Sequence, residues 1–78
     1  MVYIERNSEW EKRKDVVKAY TVGVSVYYIV YYKESNCYNL ECWPDKRKKT
    51  ETVSIIDGYD TKEESITALE EKIESKRD

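Results

Sequence analysis

Histidine is missing from this 78-residue chain altogether, and glycine (2), cysteine (2), proline (1) and methionine (1) are scarce. The missing imidazole removes the commonest general acid–base and the commonest nitrogen ligand for zinc together. Cys37 and Cys42 alone cannot complete a tetrahedral zinc site. If they share a strand, their odd spacing points them to opposite faces. They then cannot bridge each other, and both are read as reduced and structural. No stretch approaches the roughly 20 apolar residues that span a bilayer, and no phosphate-binding loop, dinucleotide fingerprint or EF-hand appears. The opening "MVYIERNSEWEKRK" is too charged for an export signal. The expected location is therefore the cytoplasm, of a bacterium or of an infected host cell. Carboxylates and tyrosines remain as acid–base groups, but no spacing isolates a catalytic pair. The expectation is a protein that is not an enzyme and uses neither metal nor cofactor.

What is present points to one domain over residues 1–78, near the lower size at which a single core sustains a fold. An apolar fraction of 40% beside a charged fraction of 38% fits a small soluble domain. Residues 20–32, "YTVGVSVYYIVYY", alternate strictly in β-branched and aromatic residues, the pattern of a long strand with a bend near Gly23. "KESN" supplies a turn, "CYNLECW" a second strand, and Pro44 stops that strand from continuing into the basic "DKRKK". "TETVSII", residues 50–56, reads as a third strand with Val53 and Ile55 inward. Short connections make the three an antiparallel meander. Gly58 then breaks the chain. Thr61 with Glu64 makes a capping box opening a helix over 61–76, whose apolar stripe is Ile66, Leu69 and Ile73. The predicted class is α+β, a three-stranded meander over 20–56 with the C-terminal helix on one face. Residues 1–19 hold either a short helix near Ser8–Lys18 or an edge strand at Val2–Ile4, and Trp10 is expected to be a packing anchor.

The helix distributes its charge unevenly. At 100° per residue, Glu63, Glu64, Glu70, Glu71 and Glu74 fall within an arc of about 120°. Lys72 and Lys76 lie on the other side of the apolar stripe, and Lys62, in the first turn, falls at its angle. Glu70 with Glu74, and Lys72 with Lys76, are like-charge pairs at i,i+4, each costing about 0.2–0.5 kcal/mol. A solvated flank is one reading; an acidic surface for a basic partner is the other, because such complementarity steers encounter and rejects wrong partners. The opposite cluster is Lys46, Arg47, Lys48 and Lys49, a solvated turn or a set of phosphate contacts. If the helix covers the Val22–Val30 parity of the long strand, then Tyr27, Ile29, Tyr31 and Trp43, with Ile56, form an aromatic second face. Three covers for that face are open: the N-terminal segment, a second copy in a homodimer, or a foreign surface.

The stretch "YYIVYYKESNCYNLECWPD" followed by "GYDTKEESITALEEKI" resembles the N-terminal domain of HicB-like antitoxins. Tyr38, Pro44, Asp45, Asp60, Thr61, Glu63 and Glu64 stand at comparable places over roughly residues 27–74, with Ser65 in place of an alanine. "PDKRKK" replaces the Pro-Asp-Leu-Pro-Gly segment of that family. The resemblance implies a three-stranded sheet with a helix, and a domain that neutralises small basic RNase toxins by direct binding. "DKRKK" and "GYDTKEE" also resemble the arm-type DNA-binding domain of phage integrases, although "TETVSIID" stands where that family carries a basic strand. The leading expectation is a non-enzymatic inhibitor or antitoxin-like protein of a phage or mobile element. Its acidic flank and aromatic face would bind a basic protein such as a nuclease. The alternative is a DNA-binding protein using the sheet and Lys46–Lys49. No membrane partner is expected.

Overall fold

In the computed structural model, which describes residues 2–49 and 53–77, the long alternating stretch is folded in two at Gly23. The elements in chain order are β1 (Ile4–Arg6), α1 (Ser8–Glu11), β2 (Val16–Val22), β3 (Ser25–Tyr32), β4 (Cys37–Trp43), β5 (Ser54–Tyr59) and α2 (Lys62–Ser75). The five strands form one antiparallel meander in chain order, and the class is α+β. Two strands more than expected are present, and the sheet runs outside the predicted 20–56 at both ends.

Gly23 explains the first difference. Its φ of +63° lies in the left-handed region, which costs a residue with a Cβ about 1–2 kcal/mol. Only a two-residue turn separates Val22 from Ser25, and these two pair directly. Crossing such a turn swaps the parity of the buried face. Before it, Tyr20 and Val22 point to one side of the sheet; after it, Tyr27, Ile29 and Tyr31 point to that same side. The hydrophobic alternation gives no hint of the swap, because both parities of residues 20–32 are rich in apolar side chains.

The N-terminal segment supplies both of its candidate elements in shortened form. β1 pairs with β2 at the edge, Ile4 opposite Val22. The helix is a single turn, capped by Asn7 rather than Ser8: the Asn7 Oδ1 accepts from the Trp10 N–H at 2.9 Å. Glu11 accepts from the Ala19 N–H at 3.0 Å and from Arg6 at 2.9 Å, tying the turn to β2 and β1. The chain then reverses at Asp15, whose φ is +67°, and the β-branched pair Val16–Val17 enters β2.

α2 begins where expected. Thr61 is its N-cap, with Oγ1 accepting from the Glu64 N–H at 3.2 Å. Its buried line is Ser65, Leu69 and Ile73, spaced i, i+4, i+8. Ile66, predicted in the stripe, is only half-buried. Ser65 takes its place because its hydroxyl donates to the Lys62 C=O at 2.7 Å, which leaves a small, satisfied side chain for close approach to the sheet. Leu69 and Ile73 pack on Val22, Ile29 and Leu40, with Tyr20, Tyr27, Tyr38 and Tyr59 around them. Burying each of the two α2 aliphatics contributes about 1.5–3 kcal/mol.

A second, smaller core fills the opposite face. Trp10 from α1 covers Ala19, Val26 and Tyr28, with Trp43 half-buried beside it. The indole of Trp10 lies 5.6 Å from the Tyr28 ring and 5.4 Å from Trp43, centroid to centroid, so the expected anchor is confirmed. β5 departs from the sequence reading. It starts at Ser54, runs through Gly58 to Tyr59, and leaves Ile55 64% exposed instead of inward. Residues 50–52 of the predicted third strand lie outside the described residues.

Candidate functional site

The outer face of α2 carries the acidic side chains, and the fold divides them into three groups. Glu70 leans toward β2 and forms an ion pair with Lys18, which holds its carboxyl below the usual range. Glu74 is paired with Arg77 at 3.0 Å, one turn along. Glu63, Glu64 and Glu71 border the side of the helix toward β5, and none of them makes an ion pair within the described residues. Glu64 accepts a hydrogen bond from the Thr61 hydroxyl at 3.0 Å. Together with Tyr59, Thr67 and Ala68 these three line a shallow groove of about 440 Å³ between the helix and β5. Burial, then Asp57 and Glu71, pushes the Tyr59 phenol up. The groove thus has an apolar floor, an unpaired acidic rim and a protonated phenol at neutral pH. It can hold the aliphatic stem of a lysine or arginine while the carboxylates meet its head.

Lys18 was not expected here. It is 52 residues from Glu70 in sequence, and no local spacing could reveal the pair. Tyr59 was missed because "IIDGYD" reads as a breaker, whereas Tyr59 pairs with Tyr38 and faces the helix.

The predicted aromatic face does not exist as one surface. Tyr27 and Ile29 lie beneath α2, with Ile29 fully buried and the Lys76 ammonium 5.6 Å from the Tyr27 ring. Tyr31 pairs with Tyr38 at the end of the same face, at 4.9 Å. Trp43 is on the other side, against Trp10. The parity swap at Gly23 places Tyr27 and Ile29 on the helix side with Val22, and the β3–β4 register, with Trp43 opposite Val26, turns Trp43 to the other face.

The basic cluster is likewise broken up by its surroundings. Asp45 chelates Arg47 with both oxygens at 2.9 Å, and this guanidinium holds the Asp45 carboxyl down at about 2. The Lys48 C=O accepts from the Trp43 indole at 3.1 Å. Lys49 is exposed. Lys46 shares a cleft of about 240 Å³ with Asn7, Glu9, Trp10 and Arg13, where the Arg13 guanidinium sits 3.7 Å over the Trp10 ring.

One carboxylate among the described residues is buried. Glu41 is 5% exposed and accepts from the Tyr28 hydroxyl at 2.9 Å and the Tyr32 hydroxyl at 2.5 Å. Tyr32 is pushed up from 10.0 to about 12, first by its hydrogen bond to Glu41 and then by desolvation. Tyr28 is also raised, by burial and then Glu41. A phenol whose folded-state pKa exceeds its unfolded value stabilises the fold fully below the unfolded pKa. That stability is lost as pH rises through the folded value. Stability is therefore expected to fall between pH 10 and about 12. In an absorbance titration of phenolate, Glu41→Gln should return Tyr28 and Tyr32 toward 10. Unchanged late titration in that variant would contradict the assignment.

Cys37 and Cys42 are free, on opposite faces of β4. Among the described residues, no helix is long and apolar enough to cross a membrane. No protein-family model, curated protein or solved structure matches this chain.

Proposed function

We propose that this chain is a small non-enzymatic binding protein, inhibitor- or antitoxin-like. It covers a basic, nucleic-acid-handling surface of another protein with the outer face of α2. The observation that carries this reading is the unpaired trio Glu63, Glu64 and Glu71 around the groove floored by Tyr59 and Ala68. Glu70 and Glu74 have internal counterions, so they add to the field of that face without anchoring a partner. The aromatic residues read from the sequence supply packing within the fold, and Tyr59 takes over as the apolar contact. A phage or mobile-element origin accords with the small size and with both resemblances.

The arm-type DNA-binding alternative keeps one observation in its favour, the approach of Arg13 and Lys46 on the face away from α2. Against it, α2 covers one face of the sheet and Trp10 plugs part of the other, while Arg47 is spent on Asp45. One experiment separates the two. Small basic ribonucleases and duplex DNA are each presented to the wild-type chain and to the Glu63→Lys/Glu71→Lys variant. At about 50 mM salt, the reading predicts inhibition of a ribonuclease that weakens at least tenfold in the variant and falls steeply with added salt. It predicts no retention of DNA. DNA binding that the variant strengthens, and that Lys46→Ala weakens, would establish the alternative instead.

A further inference from the structure

A meander leaves two open edges, and they differ. β1 has three residues, two of them charged, the kind of edge that resists pairing. β5 has six, of which five are exposed, and within the described residues it pairs only with β4. Every second residue of an edge strand turns its N–H and C=O outward. On the side of β5 away from the helix stands Ile55, opposite Glu41 and 64% exposed; Ile56, at the bulge, is 39% exposed. On the helix side lies the groove with Glu63, Glu64 and Glu71. The Gly58 N–H is held at 2.8 Å by the carboxylate of its own neighbour, Asp57, an acceptor that an incoming C=O can replace.

We propose that β5 is a docking edge for an extended, basic segment of another protein. The segment adds to the sheet as a sixth strand. Its alternation is basic and apolar, with cationic side chains over the α2 carboxylates and apolar ones against Ile55. Charge decides the occupant. Two copies joined β5 to β5 about a two-fold axis normal to the sheet would carry both helices on the same face, with their β5-side flanks opposed. Glu63, Glu64 and Glu71 of each copy would then face their own counterparts. Like charges so placed repel, whereas lysine or arginine at the same positions is attracted. This inference rests on the reading of α2 given above and adds the strand edge to it.

The test uses the intact chain and a synthetic probe, acetyl-Lys-Val-Lys-Val-Lys-Val-Lys amide, with three relatives: glutamate for lysine, N-methylation at every valine, and N-methylation at every lysine. In a paired strand all the amides facing β5 belong to one parity. One methylated peptide is therefore expected to bind at least tenfold more weakly than the parent, and the other to bind as the parent does. The glutamate peptide is expected not to bind. Amide exchange of β5 should slow on addition of the parent peptide. Equal binding of both methylated peptides would overturn strand addition while leaving the acidic surface in place. Absence of binding by the parent would overturn it as well. So would a free protein that is already dimeric with its β5 amides protected. The Glu63→Lys/Glu71→Lys variant retains β5 and probes the underlying reading separately. Undiminished affinity of that variant for the parent peptide would defeat the role of α2, and with it the choice of a basic strand.

Discussion

Leu69→Asp is expected to leave the chain unfolded at 25 °C. Leu69 is wholly buried at the contact of α2 with Val22, Ile29 and Leu40. Truncation alone at such a site costs about 2–5 kcal/mol. A carboxylate there adds a desolvation cost of several kcal/mol with no cation among the packed neighbours to offset it. A domain of 78 residues has roughly 4–12 kcal/mol of stability in total at 0.05–0.15 kcal/mol per residue. The sum of the two costs reaches that range. Far-UV circular dichroism should show loss of both helix and sheet. Leu69→Ala should remain folded with a lower denaturation midpoint. Ile66→Asp puts the same charge less than one turn away, at a half-buried position, and should also fold. If Leu69→Asp folds, or if Ile66→Asp is the more damaging variant, the orientation of α2 described here is wrong.

Trp10→Ala carries the next largest effect. Trp10 is 7% exposed and stacks among Tyr28, Trp43 and the Arg13 guanidinium. Its loss opens the smaller core to water and leaves the four-residue α1 with no buried side chain. Aromatic-to-alanine changes at such sites cost about 3–5 kcal/mol. Urea denaturation should show this drop, with Trp10→Phe recovering part of it. A cost under about 1 kcal/mol would mean that α1 does not act as a cover.

Local signals were legible where one short spacing was enough. The Thr61–Glu64 cap, the strand Cys37–Trp43 and the anchor Trp10 could each be read from a few neighbouring residues. Even so, the apolar stripe of α2 was read slightly rotated, because Ser65 scores as polar until its hydroxyl is seen bonded within the helix. Long-range features were hidden. The parity swap at Gly23 brought Tyr27 and Ile29 under the helix beside Val22, while the pairing of Trp43 with Val26 set its indole on the other side. The strand Val16–Val22 was obscured because its first residues fell inside the short helix expected near Ser8–Lys18, which the tertiary pairing with β3 overrides. In the candidate site, the exposure of the glutamates followed from the helical wheel. Which of them would find a counterion did not, since Lys18 reaches Glu70 only across the folded sheet.

The central claim is that the acidic rim serves a partner rather than the fold, and Glu71→Lys tests it most directly. Glu71 makes no ion pair within the described residues and lies three residues before Glu74 on the same helix. The change replaces a like-charge neighbour with an opposite one, which favours the helix by a few tenths of a kcal/mol. Thermal melting and retention of the ribonuclease inhibited by wild type are measured side by side on the two proteins. The account predicts a melting temperature equal to or above that of wild type together with weaker retention. A lower melting temperature with undiminished retention would contradict it.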